Sequence, residues 1–340
     1  MNNKKKYLSL LAFSCVSFAL IVVIWKTYEK DKPTNPVKGE TVRISLARGI
    51  LTIPPLIARE KKFFEDEGLT VSYTKDCTSG KESFDEMLAG NADIATVATT
   101  PVVINSFSRN DMRIFATYTT TYEGIKIITR KDRTIQKPED LRGKRIGYVG
   151  GTISQFTLYS VLANNKILFN EIKGVSHSGP ILLSSLVDGT IDALVIWEPF
   201  ANRAMRTLDN NGTYVSTDRV YRMAINFAAM KNFIDGNPEI IVKVIKALDR
   251  AITFINSDPD EAKNLCFTLL DIDPVIIESI WNEYTHALTL DQLLLITMEA
   301  EAHWLIRSGI TAETRVPNYL NFIHYQSLEQ IRPNAVSIIR

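Results

Sequence analysis

Apolar and polar positions alternate in short bursts from residue 42 onward. Val42-Arg43-Ile44-Ser45-Leu46 steps between the two classes with the period of a half-buried strand, and Thr70 to Thr74 repeats the step. Between them, Leu56, Ile57, Phe63 and Phe64 carry helical spacing, with Pro54-Pro55 in the first turn and Gly68 near the end. The pattern then predicts a helix over Lys81–Ala89, a buried strand over Asp93–Ala98, a helix from Pro101 and a strand over Arg113–Thr121. After Gly124 it restarts. Ile125–Thr129, Arg145–Val149, Lys173–Ser176 and Ala193–Ile196 read as strands, with helices over Ser154–Ala163 and Ile181–Val187. Beyond Asn237 the strand signal fades, and successive helices are expected at Pro238–Asn256, Pro259–Leu270, Pro274–Asn282 and Leu293–Ile306, most opened by proline. Strands and helices in this rhythm predict an α/β body with a mainly parallel sheet.

The first forty residues differ. Lys4-Lys5-Lys6 precede an apolar run from Tyr7 to Trp25 with no polar face. A basic flank before a run near the roughly 20 residues that cross a bilayer predicts an anchor with its start inside the cell. A cleaved signal, or a lipid tether at Cys15, is the alternative. Residues 26–40, with two prolines, a glycine and mixed charges, read as a linker.

Composition narrows the function. The 39 basic and 38 acidic side chains nearly cancel, and 32 basic face 35 acidic beyond residue 40, so no nucleic-acid partner is expected. Three scattered cysteines (Cys15, Cys77, Cys266) and four histidines give neither a disulfide framework nor a metal cluster, so no metal and no cofactor are expected. Cys77 reads as a loop thiol and Cys266 as core. No nucleophile elbow, phosphate loop or dinucleotide fingerprint is present, so no catalytic residue is assigned.

Two passages share one construction. Leu88-Ala89-Gly90-Asn91-Ala92-Asp93-Ile94-Ala95 matches Leu186-Val187-Asp188-Gly189-Thr190-Ile191-Asp192-Ala193. Each places a glycine where a helix ends and an aspartate where a buried strand begins, and each strand leads through a polar turn to a proline, Thr99-Thr100-Pro101 and Trp197-Glu198-Pro199. Chance recurrence of βαβ units is one reading; two similar lobes facing a common cleft is the other. In the second, the candidate walls are Arg48-Gly49-Ile50, Thr99-Thr100, Gly151-Thr152 with Ser154-Gln155, and Trp197-Glu198. Turns that open helices favour an anionic or hydrogen-bond-accepting ligand. Each residue has a plainer use too. Thr99, Thr100, Thr152 and Ser154 suit helix capping, Arg48 solvent, Trp197 packing on its own lobe, and Glu198 bracing of its turn.

These segments, in order, resemble the ABC-transporter solute-binding proteins of the nitrate/sulfonate/taurine and thiamine-pyrimidine-precursor type. The resemblance rests on Phe63–Leu69 with Val71, Leu88–Ala95, Pro138–Gly147, Gly151-Thr152, Gly189–Ala193 and Trp197-Glu198-Pro199. It implies a two-lobed, type II periplasmic-binding-protein fold with a C-terminal helical portion, one lobe from 41–121 with 220–340 and the other from 122–219. Crossovers are implied near Thr121–Gly124 and Asp218–Met223, and ligand contacts at Arg48–Ile50, Thr99–Thr100, Thr152–Gln155 and Trp197–Glu198. The expected partners are a small-molecule ligand, ABC permease and ATPase subunits, and the membrane through the N-terminal segment, the protein itself being a monomer. The expected activity is extracytoplasmic solute capture; a membrane-anchored sensory ectodomain and an enzyme of the same fold are the alternatives.

Overall fold

The computed structural model describes residues 40–216 and 221–340. The expected N-terminal anchor and the first half of the expected second crossover, 218–220, therefore lie outside the described residues. Among the described residues, no helix is long and apolar enough to cross a membrane.

The first sheet has six strands. In chain order they are β1 (Glu40–Ser45), β2 (Leu69–Tyr73), β3 (Ile94–Ala98), β4 (Met112–Thr121), β10 (Met223–Met230) and β11 (Tyr284–Thr289), arranged β11-β4-β10-β3-β1-β2. The second has five: β5 (Ile125–Arg130), β6 (Arg145–Tyr148), β7 (Lys173–Ser176), β8 (Ala193–Trp197) and β9 (Gly212–Val215), arranged β7-β6-β8-β5-β9. Both are mixed rather than mainly parallel. β1 pairs parallel with β2 and β3, and β6 with β7 and β8. β10 inserts antiparallel between β3 and β4, β11 adds antiparallel to β4, and β5 runs antiparallel to β8 and β9. The physical reason is that the chain leaves the first sheet after β4 and comes back later. A strand that re-enters from the second sheet does not follow a helical crossover, the connection that makes neighbours parallel.

The helices that matter for the site follow strands. They are α1 (Ile53–Glu60), α2 (Phe63–Asp66), α3 (Gly80–Leu88), α4 (Thr99–Ser106), α5 (Ile153–Asn164), α6 (Gly179–Val187) and α7 (Phe200–Leu208). The C-terminal portion adds α8 (Lys231–Gly236), α9 (Pro238–Ser257), α10 (Pro259–Leu270), α11 (Pro274–Ile280), α12 (Gln292–Arg307) and α13 (Gln326–Ile331). Proline opens α9, α10 and α11, where its missing N–H costs nothing. α9 buries Ile241, Val244, Ile245, Leu248, Ala251, Ile252 and Ile255, a three-to-four-residue stripe facing the core.

The matched passages fold alike. Gly90 (φ 81°) and Gly189 (φ 75°) both take the left-handed conformation that ends a helix. Asp93 then accepts from the main-chain N–H of Arg43 (2.8 Å) and its guanidinium (2.6 Å), and Asp192 does the same for Arg145 (2.9 and 2.7 Å). Each arginine also donates to the glycine carbonyl, Arg43 to Gly90 and Arg145 to Gly189. One clamp thus locks the central strand of each sheet to its neighbour.

Candidate functional site

The carboxyl ends of β1, β3 and β8, with the turn after β6, surround a narrow cleft with an empty volume of about 490 Å³, its mouth included. The starts of four helices line it: Thr52 before α1, Ser79-Gly80 at α3, Ala98 and Pro101 at α4, and Thr152-Ile153 at α5. The turn after β1 is held rigidly. The Ala47 N–H donates to Thr96 Oγ1 (2.8 Å), and the Thr52 hydroxyl donates to the carbonyls of Ala47 (2.6 Å) and Gly49 (2.8 Å). Ser79 caps α3 by accepting from the Glu82 N–H (3.1 Å). No side chain caps α4. Apolar walls come from Leu51, Val97, Ile153, Trp197 and Ile225. Lys81 and Arg48 are the cations on the lining, and among the described lining residues there is no aspartate or glutamate.

The structure brings together several of the residues expected from sequence. Arg48, Gly49, Thr152 and Trp197 all line the cleft. Trp197 is 6% exposed and meets Phe200 edge-on at 6.3 Å between ring centroids, so it packs on its own lobe and walls the cleft as well. Arg48 is half-exposed, donates to the Leu269 carbonyl (2.8 Å) at the end of α10 and sits 3.8 Å from Asp76. Thr152 caps α5, accepting from the Ser154 N–H (3.2 Å). Gly151 has φ 71°, and a β-carbon there would lie 3.3 Å from Lys81 Cε, which puts the lysine stem against the opposite lobe.

Other expected residues turn away from the cleft. Ile50 is fully buried in the core. Ser154 is fully buried, donating to the Val195 carbonyl (2.7 Å) and accepting from the Val149 N–H (3.0 Å). Gln155 accepts from the Gly151 N–H (2.8 Å). The hydroxyls of Thr99 and Thr100 both donate to Glu301 Oε1 (2.8 and 2.7 Å), a fully buried carboxyl on α12. Burial pushes Glu301 up to about 8, against the lowering effect of the two threonines. Glu198 Oε2 accepts from the Asn202 N–H (2.8 Å) at the start of α7, bracing its turn. Burial raises Glu198 to about 7, with the Asn202 N–H and Lys126 opposing. Glu198 is absent from the cleft lining and lies on that of a different cavity.

Sequence reasoning missed Lys81, Ser79 and Leu51. The signal for Lys81 was available: it opens a helix immediately after the Thr78-Ser79-Gly80 turn. Both described cysteines are buried, Cys77 against Ser45 Oγ (3.5 Å) and Cys266 with its thiol pushed up to about 12 by burial.

Two mixed sheets meeting at a cleft lined by helix starts are the architecture of a solute-binding protein with the periplasmic-binding-protein fold. The family follows from the sequence: a model described as NMT1/THI5 like matches residues 52–262, and the chain belongs to that family. Its relatives include the "Putative aliphatic sulfonates-binding protein" of Bacillus subtilis (strain 168), 26% identical over 250 residues covering 70% of this chain and 72% of the relative. The "Taurine-binding periplasmic protein" of Escherichia coli (strain K12) is 22% identical over 230 residues, 66% and 69% of the two chains. Among solved structures, the alkanesulfonate-binding protein SsuA from Xanthomonas axonopodis pv. citri, bound to MOPS, superposes with a TM-score of 0.73 at 14% identity, covering 84% of this chain and 98% of that one.

Proposed function

We propose that this protein captures a small organic sulfonate with an uncharged, apolar body and hands it unchanged to an ABC permease and its ATPase. The observation that carries this reading is the cleft lining: four helix starts and two cations, with no carboxylate among the described lining residues. Helix N-termini offer N–H donors and partial positive charge, and Lys81 adds a full one. A sulfonate head fits that field, while Leu51, Ile153 and Trp197 suit a hydrocarbon body. An amine on the ligand would meet Lys81 and Arg48 with no acid among the described lining residues to balance it, so taurine is a poor match. The names of the relatives support the sulfonate class.

On this reading the lobes are 41–121 with 220–340 and 122–219, hinged near Thr121–Gly124 and near Asp218–Met223, and the ligand draws them together. Lys81 leaves Asp85, which it bonds at 2.5 Å, for the ligand head. The run from Tyr7 to Trp25 holds the body at the outer face of the membrane, and the protein acts as a monomer. The test is a melting screen of the full chain in detergent against alkanesulfonates, nitrate, aromatic acids and pyrimidine precursors. A ligand at 100 times its Kd stabilises a fold by about 2.7 kcal/mol. A melting shift with alkanesulfonates and none with pyrimidine precursors is expected; the reverse sinks the sulfonate assignment.

A further inference from the structure

Glu198 lines a second cavity, whose empty volume is about 1400 Å³ with its mouth included. Its walls come from both sheets' neighbourhoods: β5 and β9 on one side, α11 and the segment before β11 on the other. The floor is apolar, with Ile127, Val215 and Ile280, and two tyrosines, Tyr122 and Tyr214, present faces that are 43% and 44% exposed. Lys126 and Glu283 neutralise each other there, the ammonium lying 2.7 Å from both carboxylate oxygens. Glu198 is different. It is 1% exposed and lines the cavity, Oε2 takes the Asn202 N–H, and no described residue donates to its other oxygen. A buried acceptor, a lining on which Glu123, Glu198 and Glu283 outnumber Lys126, and two tyrosine faces beside an apolar floor are what an ammonium or guanidinium on a short hydrocarbon body requires.

We propose that this cavity is a second binding site that takes a small organic cation, with Glu198 as its charge partner and Tyr122 and Tyr214 as its walls. It is separate from the solute cleft but joined to it, because Trp197, the residue before Glu198, walls that cleft.

The test is calorimetry of the full chain in detergent with phenethylammonium chloride, using sodium phenylacetate and ammonium chloride as controls. Saturable one-to-one binding of phenethylammonium is expected, with neither control binding. Glu198→Gln keeps an oxygen for the Asn202 N–H and should weaken binding at least about tenfold. Tyr214→Ser, at a half-exposed position that leaves the fold intact, should weaken it several-fold. Lys81→Ala, in the solute cleft, should leave it unchanged, which keeps this outcome apart from that of the sulfonate reading. The proposal is overturned if phenethylammonium gives no saturable heat, if phenylacetate binds equally, if Tyr214→Ser binds as the unaltered chain does, or if Lys81→Ala rather than Glu198→Gln abolishes binding.

Discussion

A β-carbon on Gly49 would lie 3.1 Å from the carbonyl oxygen of Glu198. The turn leaving β1 and the turn leaving β8 therefore meet main chain to main chain at the edge of the cleft. Gly49 itself is extended (φ 180°), a conformation open to any residue, so the close contact is what selects glycine. Gly49→Ala should hold the two turns a few tenths of an ångström apart. The expected result is solute binding weakened roughly tenfold, about 1.4 kcal/mol, with little change in the unliganded melting temperature. Calorimetry and melting on the same preparation check it; unchanged affinity would mean that these turns need not close.

Lys81 is the proposed charge partner of the ligand. Hydrogen bonds to charged groups contribute about 1.5–3 kcal/mol, so Lys81→Ala should weaken sulfonate binding by roughly ten- to a hundredfold. Its side chain is partly exposed and bonded to Asp85 on its own helix, so the fold should lose little. Equal affinity of the variant and the unaltered chain would remove Lys81 from the site.

Ser154 and Trp197 separate stability from binding. Ser154 ties β8 to the residue after β6 through two main-chain partners, so Ser154→Ala should cost about 1–3 kcal/mol of stability and leave affinity alone. Trp197→Ala should lower both, because the ring is core on one side and cleft wall on the other; the stability cost is about 3 kcal/mol or more. Urea unfolding and titration of each variant test the contrast. A Ser154→Ala variant that folds normally but loses the ligand would put that hydroxyl in the cleft.

Much of the fold was legible because its signals are local. The Gly90 and Gly189 helix ends, the proline-opened helices and β7 fall where the pattern put them. β10 was missed because Met223–Met230 is apolar with one buried polar break, Asn226, and gives no alternation. That asparagine is matched largely across the sheet, accepting from the Thr117 hydroxyl (2.6 Å) and donating to the Val97 carbonyl (3.2 Å), with a further bond to the Ala224 carbonyl (3.2 Å) on its own strand. β11 carries a weak pattern, Tyr-Thr-His-Ala-Leu-Thr, and is stabilised by a distant partner, His286 to Thr119 (3.0 Å). The same limit applies to the site. The turns were readable, but the direction of a hydroxyl depends on chain far away, as Glu301 shows by turning Thr99 and Thr100 inward from two hundred residues downstream.

Glu301 also predicts a pH dependence. Unfolded, its carboxyl releases its proton near the ordinary 4.5; folded, it keeps it to about 8. Between those values the unfolded state binds fewer protons, so stability falls as pH rises, by at most about 1.4 kcal/mol per unit from this one group. Glu198, held up to about 7, acts in the same direction over a narrower window. Glu301→Gln should flatten the decline between pH 5 and pH 8 in urea unfolding. A slope unchanged by the substitution would show that this carboxyl titrates normally.

The central claim is that the cleft selects an anion without a balancing amine. Ethanesulfonate and taurine differ by that amine alone, so calorimetry of the full chain with the two compounds tests the claim most directly. One-to-one binding of ethanesulfonate is expected to be at least about tenfold tighter than that of taurine, a gap of about 1.4 kcal/mol or more. Taurine binding as tightly as ethanesulfonate, or ethanesulfonate failing to bind, would contradict it.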